Sequence, residues 1–562
     1  EILIGLVGSE MCIRDRYTKT QAQNLLYSGG LKIMTTQDPD IQNIVDEEYS
    51  DPSNYPDYVQ YALDYALTVK QPDGQEVNYS KEMMKLYFQN EDPSFDLLFD
   101  SQDEGQTYVD RYKANILADG STVVAERVSF APQPQSAMTI IDQHTGYVKA
   151  IIGGRGTKTA SLTLNRATDS TRQPGSTFKI VSTYAAALNE KGMTLATTYE
   201  DQPITYDNGA PVNNASGSFN GTTTIRTAIR NSVNTVAVQC FEDVTPELGL
   251  KYLDNFGFTT LAHGTEADTD ANGNVYTDAN LPTALGGLTY GVKNVELCAA
   301  YAAIANGGNY IKPVYYTKIL DHNGNVLIEN NSVGRSVIKE TTAYLLTSAL
   351  EDVVQNGTGT ACQLDNMAVA GKTGTTDAYN DLWFVGYTPY YTCAVWSGYD
   401  GNQKIPEGDA RNFHKTLWRK VMNRIHQGME YKDFEVPDGI EQISICADTG
   451  LLPRVGCPVT EEYFDVGTMP TEYCDQHFYE YDESQDEDME ISDENATPTP
   501  DPENPDGTDN ADGSGGDGTG GDGTGGDGIG GDGTGGDGTG GGDIQYPDES
   551  GGDSGNDDIY YY

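Results

Sequence analysis

From Lys372 to Tyr399 the chain carries three short runs, KTGTT, LWFVGY and YTCAVWSGY, rich in β-branched and aromatic residues and separated by turn formers. They read as three successive β-strands. Far upstream, MTIID (138–142) and YVKAIIGG (147–154) flank a polar Gln143-His144-Thr145-Gly146 turn and read as a β-hairpin. The stretch between is largely helical in pattern. It includes a helix expected over Ser176–Glu190, closed by Lys191-Gly192 as a C-cap. Strands at both ends with helices between predict an α+β fold, an antiparallel sheet flanked by helices.

The 562 residues leave room for two or three domains. Formal net charge is −51, but 25 of the 85 acidic residues fall in 480–562, where there is no Lys or Arg; the remainder still carries −26. With no basic patch to track phosphates, a nucleic-acid partner is excluded. In the tail Asp517, Asp522, Asp527, Asp532 and Asp537 recur every five residues. Calcium-binding β-helices use a nine-residue period, so 480–562 is expected to be a disordered, acidic, Gly/Asp-rich tail. At the other end VGSEMCIRDR (7–16) resembles a translated sequencing adapter, and residues 1–16 are set aside with Cys12. The apolar run Ile2–Val7 is too short to span a membrane. The expected plan is a linker or interdomain region over 17–130, with helix-like stretches such as YVQYALDYAL (58–67), then the main α+β domain over 131–435. A small Cys-containing segment over 436–479 precedes the tail.

Ser176-Thr177-Phe178-Lys179, in RQPGSTFKI, puts a hydroxyl and an amine on one helical face, three residues apart. That is the minimum for a serine nucleophile activated by lysine. About two S-x-x-K matches are expected by chance in a chain this long, and Ser336-Val337-Ile338-Lys339 is another. Order separates them. Ser176 is followed by Ser232-Val233-Asn234 and then by the single K-T-G, Lys372-Thr373-Gly374, with Thr375 after it. No S-x-N lies between Ser336 and Lys372. Of the other S-x-N copies, Ser554-Gly555-Asn556 is in the tail and Ser218-Phe219-Asn220 sits among loop formers. Ser232 lies in TAIRNSVNTVAVQ, where Ile225, Ile229, Val233 and Val236 recur at helical spacing. Taken singly, Ser176 reads as a helix N-cap, Ser232–Asn234 as a polar turn and Lys372 as a strand-end charge. The ordered triple is the pattern of penicillin-binding proteins and class A β-lactamases. No G-x-S-x-G occurs, which disfavours a histidine-based serine hydrolase.

GGLKIMTTQDPDIQ (29–42), RATDSTRQPGSTFK (166–179), ALGGLTYGVKNVELCAAYAAIANGG (284–308), GTGTACQ (357–363) and VAGKTGTTDAYNDLWFVGYTPYYTCAVWSGYD (369–400) together resemble the transpeptidase half of class A (bifunctional) penicillin-binding proteins. The resemblance covers most of 29–400. It implies a β-lactamase/transpeptidase-like fold and a D,D-transpeptidase that cross-links peptidoglycan stem peptides and is acylated by β-lactams. Ser176 would attack the carbonyl between two terminal D-alanines, Lys179 would take its proton, and Ser232 would relay it to the leaving amine. Asn234 would orient Lys179 and bind the substrate amide. Lys372, Thr373 and Thr375 would hold the terminal carboxylate, and Gly374 would let the substrate backbone approach the strand. The backbone N–H groups of Ser176 and Thr375 would form the oxyanion hole. The resemblance also implies a preceding glycosyltransferase domain and a single membrane helix, both missing from this sequence. The protein would then sit on the extracytoplasmic face of a bacterial membrane, of Gram-positive type, among the cell-wall synthesis machinery. No cofactor is implied. The alternatives are a D,D-carboxypeptidase or β-lactamase using the same first step, and a non-catalytic penicillin sensor.

Cys446, Cys457, Cys474 and His477 form the remaining cluster. Three thiols and an imidazole can make a zinc site, but spacings of ten and sixteen residues before C-x-x-H fit no compact zinc ribbon. A disulfide or an unpaired thiol is the expectation outside the cell, and no metal site is assigned. Cys240, Cys298, Cys362 and Cys393 lie among apolar neighbours and are expected in the core.

Overall fold

The computed structural model describes residues 18–117, 120–158, 160 and 163–477. The expected artefact over 1–16 and the acidic tail from 480 lie outside the described residues.

The region before residue 134 has a core of its own. Strands β1 (Gln60–Lys70), β2 (Glu76–Ser80), β3 (Leu98–Phe99) and β4 (Thr122–Gln133) form an antiparallel sheet. Helices α1 (Lys81–Gln89) and α2 (Gln102–Ile116) cover one face. The helix expected within 58–67 is instead β1. Both a helical and an alternating pattern can be traced through those ten residues. The alternation wins because Leu63, Tyr65, Leu67 and Val69 carry it on to the end of β1, all four buried against Met84, Phe88, Val109 and Tyr112. β1 is also paired along its whole length with β4, which a lone helix cannot match.

The main sheet has five antiparallel strands. β5 (Gln135–Asp142) and β6 (Tyr147–Ile152) are the expected hairpin, turned at Gly146 with φ +72°. β7 (Ala370–Thr375), β8 (Asp381–Tyr387) and β9 (Thr392–Gly398) are the three expected strands. The order β7-β8-β9-β5-β6 pairs β9 with β5, so the two distant segments meet at the centre. Every residue of β8 and β9 is buried, because helices cover both faces. Trp383, Val385, Ala394 and Trp396 enter a core built with α5 (Asn294–Ala305) and α6 (Glu340–Asn356). Phe384, Cys393 and Val395 point the other way, toward the Pro39–Ser50 helix and α7 (Phe413–Ile425). α5 is buried on all sides, and its Asn294 accepts from Thr139 Oγ1 (2.6 Å) and donates to the Ala394 carbonyl (3.2 Å). Cys240, Cys298, Cys362 and Cys393 are all fully buried, as expected of small core residues.

Residues 29–42 lock the front of the chain onto this domain. Lys32–Thr35 pairs with Tyr316–Leu320, and Asp38 caps the following helix by accepting from Asp40 and Ile41 N–H. The C-terminal segment is a hairpin of β10 (Ile440–Cys446) and β11 (Val459–Asp465). Among the described residues no helix is long and apolar enough to cross a membrane.

Candidate active site

The nucleophile candidate sits at the start of a helical segment with mixed geometry. Gly175–Thr177 make a 3₁₀ turn, Ile180–Tyr184 a π-helical turn, and Ala185–Glu190 an α-helix. The expected helix is therefore present, and Gly192 (φ +70°) lies just past its end. Its first turns are not ideal α-helix. Ser182 Oγ bonds the Phe178 carbonyl at 2.8 Å, and Thr177 Oγ1 bonds the Pro174 carbonyl at 2.8 Å. From outside, Tyr301 OH donates to the Thr177 carbonyl (2.7 Å) and Trp383 Nε1 to the Gln173 carbonyl (2.9 Å). Ser176 is half-buried at the mouth, while Lys179 is completely buried.

Lys179 Nζ donates to the Ser232 carbonyl (2.7 Å), to Asn234 Oδ1 (2.5 Å) and, more weakly, to Ser232 Oγ (3.3 Å). The residues of the second motif are thus brought onto the lysine of the first. They do not lie on one helix, as the spacing of Ile225 to Val236 predicted. α3 (Ile225–Asn231) ends at Ser232, which is left-handed (φ 58°, ψ 41°), and α4 (Asn234–Val244) begins afresh at Asn234. The break turns the Ser232 carbonyl, hydroxyl and Asn234 amide toward one point. An unbroken helix would have kept that carbonyl in its own ladder. The loop is held from behind: Asn214 Oδ1 accepts the Asn234 N–H (2.8 Å), and buried Asp201 accepts from Asn214 Nδ2 (2.6 Å) and Thr235 Oγ1 (2.6 Å). Asn220, from the rejected S-x-N copy, also feeds Asp201 through its N–H (2.8 Å).

Lys372 on β7 is completely buried as well. Among the described residues its Nζ has one hydrogen-bond partner, the neutral Thr373 carbonyl at 3.3 Å. Burial pushes its pKa down to about 7. Lys179 falls well below the ordinary lysine range, first through burial and second through the nearby Lys372 cation. Thr373 is half-buried and shares a 2.7 Å hydroxyl contact with Thr358, from GTGTACQ; Thr375 is exposed.

Gly374 packs against the nucleophile turn. A Cβ there would meet the Pro174 carbonyl oxygen at 2.5 Å and Thr177 Cγ2 at 2.8 Å. The glycine lets β7 lie directly on the nucleophile turn. The reciprocal position is Gly175 (φ +54°), where a Cβ would meet the Thr375 backbone at 2.7–3.0 Å. Gly286 (φ +78°) closes on Gly175 from the third side; a Cβ there would meet the Gly175 carbonyl oxygen at 2.5 Å. Sequence reasoning missed Gly286 and the Asp201–Asn214 support. Gly286 lies within the recognised ALGGLTYG, but nothing in that string says what it touches. The rejected Ser336 lies on a strand edge, and the Lys339 side chain reaches out to Asp465 at 3.8 Å.

A site of this composition can perform acyl transfer from serine, with a neutral buried amine as base and a second amine for an anionic group. Residues 136–423 match the penicillin binding protein transpeptidase domain, and 436–479 match the penicillin-binding protein 1A C-terminal domain. These matches define the class, a penicillin-binding serine transpeptidase/carboxypeptidase. The chain belongs to the penicillin-binding protein transpeptidase family, and it corresponds to the transpeptidase region of a class A member. It is similar to penicillin-binding protein 1A of Clostridium tetani, 34% identical over 362 residues, covering 61% of this chain and 45% of that protein. A Clostridium perfringens penicillin-binding protein 1A is 29% identical over 498 residues, covering 84% and 50%. The chain thus spans about half the length of the curated relatives it matches. In fold it resembles penicillin-binding protein 1A from Haemophilus influenzae (TM-score 0.58, 21% identity, 83% of this chain and 76% of that one). It also resembles the PonA1 protein from Mycobacterium tuberculosis solved with penicillin V (0.55, 21%, 78% and 95%).

Proposed function

We propose that this chain is a D,D-transpeptidase that cross-links peptidoglycan stem peptides through a Ser176 acyl-enzyme and is acylated by β-lactams. The observation that carries the reading is the coordination of Lys179. A neutral amine has two N–H groups, which match the two short contacts to the Ser232 carbonyl and Asn234 Oδ1. Its lone pair then faces the third and longer contact, the Ser232 hydroxyl at 3.3 Å. Burial and the Lys372 charge favour that neutral form.

In this reading Ser176 Oγ attacks the carbonyl of the penultimate D-alanine and its proton passes to Lys179. The oxyanion is met by the N–H groups of Ser176 and Thr375, each such donor being worth about 10²–10³ in rate. The C–N bond breaks, and the terminal D-alanine leaves with a proton relayed through Ser232. An amine of a neighbouring stem peptide then displaces Ser176 and forms the cross-link. Lys372, Thr373 and Thr375 hold the terminal carboxylate, and Asn234 positions both Lys179 and the substrate amide. The catalytic unit is 131–435, with 17–130 as an interdomain region and 436–479 as an appended module. In the parent protein a glycosyltransferase and a membrane helix precede it, on the outer face of a bacterial, Gram-positive-type membrane.

Labelling with a fluorescent β-lactam tests the nucleophile: wild type labels and Ser176→Ala does not, and equal labelling of the two ends the assignment. Cross-linked dimer formed from lipid-linked glycan strands separates a transpeptidase from a carboxypeptidase, which releases D-alanine only, and from a sensor, which is acylated without turnover.

A further inference from the structure

The four residues left over from the sequence converge. Cys446 closes β10, Cys457 lies in the loop to β11, and Cys474 and His477 come from the segment after β11. That last segment is returned to the hairpin by Leu452 N–H to the Glu472 carbonyl (2.9 Å) and Cys474 N–H to the Leu452 carbonyl (2.8 Å). Sγ of Cys446, Cys457 and Cys474 and one imidazole nitrogen then all lie within 4.8 Å of one another. No disulfide links them, and three thiols cannot pair without leaving one over.

His477 Nδ1 sits 3.5 Å from Cys446 Sγ and 3.4 Å from Cys474 Sγ. For Zn–S of about 2.3 Å and Zn–N of about 2.0–2.1 Å, tetrahedral geometry requires an N···S edge of about 3.5 Å. The other ring nitrogen, Nε2, lies 3.3 Å from Asp448 Oδ2. A metal-bound histidine characteristically donates its remote N–H to a carboxylate in this way, which fixes the tautomer with Nδ1 free to ligate. Backbone amides face the sulfurs too, as the Arg454 N–H does at 3.2 Å from Cys457 Sγ. The module also needs such a fastening. Its buried apolar core consists of Ile445 and Phe464 packed with Ala196 of the catalytic domain, far short of what holds a segment of this size together.

We propose that Cys446, Cys457, Cys474 and His477 bind one Zn²⁺ that staples the C-terminal module. Three thiolates and one imidazole form a closed, four-ligand set, which suits a structural and not a catalytic ion. Binding releases the thiol protons to solvent, changes no oxidation state and needs no co-reactant. The proposal is independent of the acyl-transfer reading.

The test is metal content of the full chain, purified under reducing conditions from zinc-supplemented medium. One zinc per chain is expected, together with Co²⁺-substituted protein showing thiolate charge-transfer and tetrahedral d–d bands. Cys474→Ser and His477→Ala should each lose most of the metal and lower Tm. Should a variant not fold, the wild-type stoichiometry and cobalt spectrum decide by themselves. Metal-free wild type would overturn the proposal, as would a disulfide between any two of the three cysteines on non-reducing peptide mapping. Undiminished zinc in both variants would do the same.

Discussion

Two fully buried amines whose hydrogen-bond partners are all neutral define the chemistry at the residue scale. In the proposed mechanism Lys179 has to be neutral to accept a proton, whereas Lys372 has to be charged to attract a carboxylate. The second-order rate of acylation by a β-lactam should therefore be bell-shaped in pH. Its acid limb follows Lys179, far below ordinary lysine. Its alkaline limb follows loss of charge from Lys372, near pH 7 in the free enzyme. Lys372→Arg, which does not deprotonate, should remove the alkaline limb; an unchanged limb assigns it elsewhere. The same depression has a cost in stability. Between about pH 7 and the unfolded lysine value of about 10.4 the unfolded chain binds more protons than the folded one. Stability from Lys372 therefore rises with pH across that window, and Lys372→Met should flatten the rise in a series of thermal melts. Ser232 separates backbone from hydroxyl. Ser232→Gly suits the left-handed position, so stability should change by no more than about 1 kcal/mol in thermal or urea melts, while acylation falls about 10²-fold. Ser232→Val should lose both, because a β-branched residue is strained at φ 58°.

Elements meet at the site through backbone contact. Gly374→Ala should slow acylation at least tenfold and cost about 1–3 kcal/mol, since β7 and the nucleophile turn must separate to admit a methyl group. Labelling rates and denaturant melts measure the two effects together. The contrast between what was readable and what was not is sharpest here. β7, β8 and β9 were legible because strand residues announce themselves locally, by composition and by turns. Ser176 and Lys179 were legible because a covalent spacing of three survives folding. The 58–67 stretch misled because short apolar runs satisfy both periods, and only the pairing with β4 settles which one holds. The left-handed Ser232 was invisible, since serine carries no signal for positive φ. Cys446, Cys457, Cys474 and His477 could be named from the sequence, but their convergence could not, because a strand, a loop and a returning segment bring them together.

Across the whole molecule, the C-terminal module grips the catalytic domain at one buried ion pair. Arg226, on α3, donates to both oxygens of Glu462 on β11 at 2.6 Å, and also to Ser348 Oγ at 3.0 Å. Glu462 is almost fully buried. Glu462→Ala should destabilise the protein by about 3–5 kcal/mol, since it removes the bidentate partner of a buried guanidinium and leaves it only Ser348 and the longer-range pull of Asp352. Urea denaturation reads this directly; a loss under about 1 kcal/mol would mean that the module is held by other contacts. The helix that bears Arg226 is capped by Ser232, so the module is fastened to the same seven-residue element whose end carries the hydroxyl proposed to relay the proton.

The junction of Gly175, Gly286 and Gly374 has a consequence for drug escape. Where side chains set a gap, rotamers and conservative swaps can tune it by fractions of an ångström. Here the closest approach along each of the three lines of contact is to main chain, so the seam around the nucleophile turn has little that a rotamer can adjust. Under the proposed function, mutants selected by a β-lactam should gain nothing from this seam without forfeiting the fold. Their changes should gather instead at side-chain contacts such as that of Thr358 with Thr373, which can be exchanged while the seam stays shut.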